Sequence, residues 1–338
     1  LGGRRMRKAA RDVFLALSSI GCYGVPIHSG GNAGWVMAIR ALELFCGIGG
    51  FSAAAAGTNI RIAGAVDQSP AALEVYRLNF PGHDAWQLNL ENVTREELRS
   101  VEADFWWLSP PCQPYTVRGA GRDAEDPRAL SFRRILDVLD RMGEDELPRH
   151  LALENVEGFA RSEMRARLVK LLTGRGFHVQ ECTLCPTELG VPMRRPRYYC
   201  TASRGRLEPP TLVVDAPLRP LGAYLDGNGA GEDLRLAGDV VARFGKGFRI
   251  LDPKDPQAYT TCFTSGYGRA LMHAGSYLQC AGGVRRFAPE EIARLLHFPE
   301  GFRFPDRMTL RKKWHLVGNS LSVASVRKIL EAFPGLVA

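Results

Sequence analysis

A cysteine held between prolines is the group in this chain best suited to covalent chemistry. It lies in residues 109–116, Ser-Pro-Pro-Cys-Gln-Pro-Tyr-Thr, directly after the strand-like run 104–108. Proline fixes its own φ and restricts the residue before it, so this turn is expected to be stiff. A rigid thiol at the end of a strand suits nucleophilic catalysis. A structural cysteine more often packs as a small hydrophobe within a regular element. We therefore predict that Cys112 is a nucleophile.

A glycine-rich segment follows the first apolar run, residues 41–45, which is predicted to be a buried strand. Residues 46–50 read Cys-Gly-Ile-Gly-Gly. Glycines here either let a ligand approach the backbone or simply make a tight strand–helix turn. The segment lacks the full G-x-G-x-x-G pattern and a following Lys-Ser/Thr, which disfavours a dinucleotide site or a P-loop.

Two carboxylates also end predicted strands. Asp67 follows residues 62–66 and could accept hydrogen bonds from a ribose diol, or it could cap the helix that starts near Pro70. Glu154 follows residues 150–153, which are mostly apolar. A carboxyl group against apolar walls has a raised pKa and can donate a proton, although a surface loop acid is the alternative.

Two arginines occupy alternate positions of a further predicted strand. Arg195 and Arg197 would project on one face, where two guanidinium groups suit a phosphate, a carboxylate or the polar edge of a base. A solvated basic surface is the simpler alternative.

The order of these elements predicts a doubly wound α/β sheet, since a strand, a glycine-rich turn and a helix open the series. After about residue 205 the sequence becomes rich in prolines, glycines and short apolar runs, which indicates a second, smaller lobe. We predict a catalytic domain over 37–205, a small target-recognition lobe over 206–305 and a segment, 306–338, that packs back on the catalytic domain. The predicted strands are 41–45, 62–66, 105–108, 150–153, 179–184 and 197–202, the last two as an antiparallel edge pair, and the predicted helices are 52–56, 70–79, 130–142, 164–172, 289–296 and 323–333.

Composition narrows the class of protein. The chain has 338 residues, a net charge of +8 and a pI near 9.2, a balance that suits a polyanionic partner. It contains no apolar run of 18 residues, so no membrane span is expected. Its 8 cysteines are scattered rather than paired, which favours a reduced, cytoplasmic protein. The lone CxxC at 182–185 is weak as a zinc site, and we expect no metal.

The first 36 residues differ from the rest. They carry five basic residues and one acidic residue and then become glycine-rich. They have no clean secretory signal. We expect a disordered extension or a misplaced start, because Met37 immediately precedes the first predicted strand; a basic RNA-binding tail is a further alternative.

The ordered set of motifs resembles the cytosine-5 methyltransferases from about Arg40 to Leu330. Within that family it is most similar to the branch that methylates aspartate tRNA, because of residues 261–268, Thr-Cys-Phe-Thr-Ser-Gly-Tyr-Gly, and 186–192, Pro-Thr-Glu-Leu-Gly-Val-Pro. The family blocks are Leu44-Phe45-Cys46-Gly47-Ile48-Gly49-Gly50, Pro110-Pro111-Cys112-Gln113, Glu154-Asn155-Val156, Arg195-Pro196-Arg197 and Gly318-Asn319-Ser320-Leu321.

The resemblance implies a Rossmann-like class I methyltransferase fold and a mechanism. Cys112 would attack carbon 6 of a flipped cytosine, Glu154 would bind ring N3 and the exocyclic amine, and S-adenosylmethionine would supply the methyl group. Arg195 and Arg197 would hold the base carbonyl and restrain the cysteine loop.

The resemblance and the charge pattern also imply binding residues. The expected cofactor contacts are Phe45, Gly47, Ile48, Gly49, Gly50, Asp67, Leu90, Glu91, Ser109, Asn319 and Ser320. The expected substrate contacts are Gln113, Arg118, Arg122, Cys262 and Thr264, with Cys262 either positioning RNA or packing in the core.

Three functions remain open from the sequence. A monomeric tRNA methyltransferase is the main hypothesis, and a DNA cytosine-5 methyltransferase acting on double-stranded DNA is the alternative. A non-catalytic nucleic-acid-binding protein with a vestigial pocket would be expected to lack Cys112 or Glu154, and both are present.

Overall fold

A seven-stranded sheet organises the first part of the chain in a computed structural model that describes residues 38–115, 123–210, 216–226 and 232–336. The strand order is β3-β2-β1-β4-β5-β7-β6. The first five strands are parallel, and β7 runs antiparallel to β5 and β6. The strands are β1 (Ile39–Leu44), β2 (Ile60–Asp67), β3 (Ala85–Gln87), β4 (Phe105–Leu108), β5 (His150–Val156), β6 (His178–Leu184) and β7 (Arg197–Ser203).

Apolar side chains on both faces fix the central strands inside the protein. All four residues of β4 are buried, and β5 is buried from Leu151 to Asn155. Parallel strands covered by helices on both faces read as near-continuous apolar runs, which explains this sequence. Leu42 and Leu44 of β1 pack into one apolar cluster and Ala41 into the other, so the sheet separates two cores.

Helices flank the sheet and begin at recognisable caps. The second helix starts after Ser69, whose hydroxyl accepts a hydrogen bond from Ala72 N at 3.3 Å. Ser162 caps the fifth helix in the same way, accepting from Arg165 N at 3.0 Å. The helices are α1 (Gly50–Ala55), α2 (Pro70–Asn79), α3 (Arg95–Arg99), α4 (Leu130–Arg141), α5 (Glu163–Gly174), α6 (Gly238–Phe244), α7 (Pro289–Leu295), α8 (Leu310–Gly318) and α9 (Val323–Leu330).

A second sheet of three strands lies in the later part of the chain. It contains β8 (Ile250–Leu251), β9 (Tyr277–Cys280) and β10 (Gly283–Arg286). We refer to the described residues between 216 and 305 as the small lobe. One apolar cluster contains residues of both the small lobe and the large sheet, Phe263 and Trp107 among them.

The last helix returns to the first one. Arg327 of α9 donates to the main-chain carbonyls of Ala53, Ala54 and Ala56 at the end of α1. The predicted division into 37–205, 206–305 and 306–338 stays a prediction. Among the residues described, no helix combines the length and apolarity that a membrane span requires.

The elements differ from the predicted ones mainly at their ends. The predicted strand 150–153 continues to Val156, so Glu154 lies inside β5 and not in a loop after it. The predicted helix 323–333 ends at Leu330, and the strand predicted over 41–45 stops before Phe45, whose φ is 60°. Strand β3 has three residues, too few for a pattern to reveal.

Candidate active site

The carboxyl ends of four strands meet at one edge of the sheet. Leu44 pairs with Val66 and with Leu108, and Leu108 pairs with Leu153. The residues that follow these partners are Asp67, Ser109 and Glu154. Because ligands of open α/β sheets bind outside the carboxyl ends of the strands, this edge is the expected site.

The turn that carries Cys112 is fixed by its neighbours. Ser109 N donates to Leu44 O at 3.2 Å, and the Asn155 side-chain amide donates to Pro110 O at 3.1 Å. A Cβ added to Gly158 would lie 2.1 Å from Tyr115 O, so only glycine fits against the end of this turn. Strands β1, β4 and β5 thus hold the cysteine in place, as the sequence predicts.

The surroundings of Cys112 have two opposing effects on the pKa of its thiol. Cys112 is half-buried, and burial raises the pKa of the thiol, as does the nearby Glu154. The positive charges of Arg197 and Arg195 oppose this rise by favouring the thiolate. The resting group is therefore a thiol beside two cations that stabilise its ionised form.

Glu154 is a buried acid paired with an arginine. Its carboxylate lies 3.2 Å from Arg197 Nε, and only 11% of its side chain is exposed. Glu154 faces Tyr199 across the β5–β7 ladder, and Arg197 is two residues before Tyr199, so the two charged groups share a face. Burial raises the pKa of Glu154, although Arg197 and Arg195 oppose it. Burial therefore favours the neutral carboxyl group, the form that can donate a proton.

Arg195 holds distant parts of the chain together. Its Nη1 donates to Phe263 O at 2.9 Å and to Cys262 Sγ at 3.1 Å. Its Nη2 donates to Gly318 O at 3.3 Å and also to Ser320 O. The predicted side-by-side placement with Arg197 is correct, since Arg197 Nη2 lies 3.6 Å from the same sulfur, but only Arg197 is in β7.

Cys262 is a second thiol held by the same two arginines. Burial raises the pKa of this thiol, but Arg195 and Arg197 together outweigh burial, so the pKa is lowered overall. Its neighbour Thr264 is exposed, and Gln113 on the nucleophile turn is half-buried. Arg118 and Arg122, the other predicted substrate contacts, lie outside the described residues.

The glycine-rich turn leaves open space at the edge of the sheet. Gly47 has φ +53°, and a Cβ added there would meet nothing within 4 Å. Gly49 has φ +88°, and a Cβ there would lie 2.3 Å from the Phe80 ring, so packing also requires this glycine. Phe45 precedes the turn with φ 60° and is half-buried.

Asp67 supports this turn and does not cap the helix after it. Its carboxylate accepts from Gly47 N at 2.9 Å and from Ser69 N at 2.8 Å. Ser69 is the residue that caps α2, so the helix-cap alternative for Asp67 is wrong. Burial raises the pKa of Asp67, and these backbone N–H groups oppose the rise.

The other predicted cofactor residues differ in exposure. Ile48 and Leu90 are buried in the apolar clusters, and Gly50 is buried where an added Cβ would lie 2.5 Å from Leu321. Glu91 and Asn319 are exposed, and Ser109 and Ser320 are half-buried. The Ser109 hydroxyl accepts from Trp107 Nε1 at 2.9 Å. The binding roles of these residues stay predictions.

A buried polar network beneath the glycine turn was not predicted. Glu43 of β1 is 1% exposed and accepts from Phe51 N at 3.2 Å and from the Ser52 hydroxyl at 2.5 Å. Ser52 also contacts the Tyr76 hydroxyl at 2.6 Å. Burial raises the pKa of Glu43 to about 8. The signal in the sequence was a single charged residue within an apolar strand.

The described segments contain no group of three or more His, Cys, Asp or Glu side chains arranged to hold a metal ion. The CxxC pair is therefore not part of such a cluster. Cys182 lies in β6, and Cys185 precedes a short 3-10 turn.

Known proteins resemble this chain over most of its length. A Bos taurus protein named tRNA (cytosine(38)-C(5))-methyltransferase is 31% identical, over 87% of this chain and 98% of that protein. A Dictyostelium discoideum protein named DNA (cytosine-5)-methyltransferase is 28% identical, over 87% of this chain and 93% of that protein. The crystal structure of the S. pombe Dnmt2 methyltransferase matches with a TM-score of 0.77 and 29% identity, over 87% of this chain and 97% of that one.

These matches confirm the predicted resemblance and the predicted methyltransferase fold. The C-5 cytosine-specific DNA methylase family matches residues 39–219, which is more than half of the chain and includes Cys112, Glu154 and Arg197. The chain belongs to this family, and it is a cytosine-5 methyltransferase.

Proposed function

We propose that this protein methylates carbon 5 of a cytosine in the anticodon loop of tRNA, with S-adenosylmethionine as the methyl donor and Cys112 as the nucleophile. The observation that carries the proposal is the convergence of Cys112, Glu154 and Arg197 at one edge of the sheet, next to the open glycine turn.

Cys112 makes carbon 5 reactive. Carbon 5 of cytosine is a poor nucleophile, and attack by the Cys112 thiolate on carbon 6 converts the ring into an enamine that is a good one. The S–C6 bond forms while the electron pair of the C5=C6 bond is delocalised toward N3. After methylation, a base removes the proton on carbon 5, the double bond re-forms, and Cys112 leaves carbon 6 as a thiolate.

Glu154 stabilises the covalent adduct. A neutral carboxyl group donates its proton to N3 as charge develops there, and its carbonyl oxygen accepts from the exocyclic amine. The raised pKa of Glu154 favours this neutral form. Arg197, 3.2 Å from Glu154, stabilises the carboxylate that remains after the proton has moved, and N3 returns this proton to Glu154 when Cys112 leaves.

The residues at the glycine turn fit the cofactor. The open space at Gly47 admits a ligand against the backbone, and each Asp67 oxygen, which accepts one backbone N–H, retains lone pairs for ribose hydroxyl groups. Backbone from Phe45 to Gly50 would hold the methionine part, and Leu90 and Glu91 the adenine. When bound, S-adenosylmethionine supplies an electrophilic methyl group on its sulfonium.

The substrate assignment rests on relatives and on energetics. The bovine relative is named as a tRNA methyltransferase, and the block at 261–268 resembles the tRNA branch. Extruding a cytosine costs less in a single-stranded loop than in a duplex. The Dictyostelium relative, named as a DNA enzyme, supports double-stranded DNA as the second candidate.

Transfer of labelled methyl groups from S-adenosylmethionine tests the proposal. Total small RNA and unmethylated genomic DNA are offered separately to the wild type and to Cys112→Ala. Cys280→Ala, at the end of β9, is the matched control for loss of a half-buried thiol. We expect label on RNA that Cys112→Ala loses by at least a thousandfold and Cys280→Ala retains. Label on DNA alone would overturn the tRNA assignment, and activity of Cys112→Ala would overturn the nucleophile.

A further inference from the structure

An arginine–tyrosine stack lies in the small lobe, and the mechanism above does not use it. The guanidinium carbon of Arg249 is 4.5 Å from the centroid of the Tyr259 ring. Arg249 Nε and Nη2 also donate to Tyr259 O, at 3.2 and 3.1 Å. Arg249 is exposed and Tyr259 half-buried. Because the guanidinium group is anchored at two atoms, the stack is formed before any ligand arrives.

The stack is fixed relative to the active site. Tyr259 precedes Cys262 by three residues, a reach of at most about 10 Å along the chain. Thr260, which is fully buried, donates through its N–H to Pro192 O at 2.9 Å and accepts from Arg194 N at 2.8 Å. The segment that carries Tyr259 is therefore bonded directly to the segment that delivers Arg195.

The charged residues near the stack indicate where a base would bind and where a phosphate would bind. Asp252, Lys254 and Asp255 are exposed in the turn between Arg249 and Tyr259, so the turn is negative on balance, which disfavours a phosphate beside Arg249. Arg194 is exposed and directly precedes Arg195, and its main-chain N–H is bonded to Thr260, the residue after Tyr259. This distribution suits a base on the stack and a phosphate near Arg194.

We propose that the Arg249–Tyr259 stack holds an unpaired base next to the target cytosine, and that Arg194 contacts the adjoining phosphate. This inference rests on the proposed function, because unstacked bases of single-stranded RNA loops bind to aromatic rings and guanidinium planes. The pair then determines which loop nucleotides are accepted beside the cytosine. Loss of one stacked base is expected to weaken RNA binding roughly 10- to 100-fold.

Steady-state kinetics of Tyr259→Leu, with Tyr259→Phe as the conservative variant, tests the stack. We expect Tyr259→Leu to raise the KM for tRNA roughly tenfold or more, with the KM for S-adenosylmethionine unchanged. Tyr259→Phe keeps the ring and is expected to stay within about twofold of wild type. Phe244→Leu is the matched control, because Arg243 lies 5.0 Å from that exposed ring in the same lobe.

Several outcomes would overturn the proposed role of the stack in binding a base. An unchanged KM for tRNA in Tyr259→Leu would do so. An equal rise of that KM in Tyr259→Phe or in Phe244→Leu would do so as well. Thermal melting of each variant, with a midpoint equal to that of wild type, ensures that a raised KM is not partial unfolding.

A binding measurement separates this inference from the proposed function. An RNA hairpin with 2-aminopurine beside the target cytosine loses fluorescence when that base stacks on protein. Quenching by wild type and not by Tyr259→Leu supports the stack even where no methyl is transferred, and that case overturns the proposed function alone. Methyl transfer to RNA with equal quenching by both proteins overturns the stack alone.

Discussion

Two buried glutamate–arginine pairs, one at the active site and one in the small lobe, are built differently. Glu291 of α7 is fully buried and accepts from both terminal nitrogens of Arg285 at 2.8 Å. It also accepts from Ala288 N at 2.8 Å and from Asp226 N at 3.1 Å. Four N–H groups therefore surround one carboxylate, which is the arrangement that makes a buried charge tolerable.

The Glu154–Arg197 pair at the candidate active site has fewer bonds to its carboxylate. Within the described residues, Glu154 has one contact with a charged partner, Arg197 Nε at 3.2 Å, although it is nearly as buried. A carboxylate such as Glu291, whose hydrogen bonds all come from the protein itself, holds the surrounding segments together. A buried carboxylate with one partner retains hydrogen-bonding capacity, which a substrate can use. The number of partners, more than burial, distinguishes Glu154 from Glu291.

The largest expected effect comes from Glu154→Gln. The amide cannot give up a proton to N3, so methyl transfer should fall by roughly 10²- to 10⁴-fold. The thermal midpoint should change little, because few bonds of the fold depend on this group. Single-turnover transfer of labelled methyl measures the effect, and Glu157→Gln, an exposed glutamate three residues later, is the control. Activity within tenfold of wild type would contradict the assigned role.

The structural pair should show the opposite behaviour. Arg285→Leu leaves the Glu291 carboxylate buried without its cation, and we expect a loss of about 3–5 kcal/mol in the free energy of unfolding. Methyl transfer per folded molecule should stay near wild type. Denaturant unfolding measures the loss. Arg307→Leu, which removes an ion pair with Glu74 whose side chains are exposed by 84% and 35%, should cost less than about 1 kcal/mol. Equal losses in both variants would refute the distinction.

Glu43 gives a smaller, pH-dependent effect that sharpens the comparison. Its raised pKa, about 8, means that the folded protein keeps a proton which the unfolded chain releases near pH 4.5. The contribution of Glu43 to the free energy of unfolding is therefore fully present below about pH 4.5. It falls as the pH rises toward 8, by roughly 1 kcal/mol per pH unit between these limits.

Glu43→Gln should remove this slope, because the amide does not titrate. Unfolding curves of wild type and variant, recorded from about pH 5.5 to 7.5, measure it. A wild-type slope that the variant retains would show that Glu43 is not its source.

The sequence predicts local features well where a single segment decides them. Strand β4 and helix α2 were predicted with the bounds that the structure has, because an apolar run and a Ser-Pro start define them. The register of the parallel strands follows from the fold class, so the meeting of Asp67, Ser109 and Glu154 could also be expected.

The partners of Arg195 could not be predicted in this way. Arg195 donates to Phe263 O, 68 residues later, and to Gly318 O, 123 residues later. Main-chain carbonyls carry no signal in a sequence, so the resemblance could favour Arg197 for the catalytic role but could not predict the bonds of Arg195. The pairing of Glu291 with Arg285 was not predicted either, because it depends on a turn in the small lobe.

The bonds of Arg195 also determine when the site can form. Protein synthesis releases the chain from its N-terminus, and early parts of a large protein can fold before later ones exist. Cys112, Glu154 and both arginines emerge long before Gly318 and Ser320, whose carbonyls complete the shell around Arg195. A nascent chain therefore carries an unfinished pocket until Ser320, 125 residues after Arg195, has been made, and the site cannot be complete when the first sheet folds.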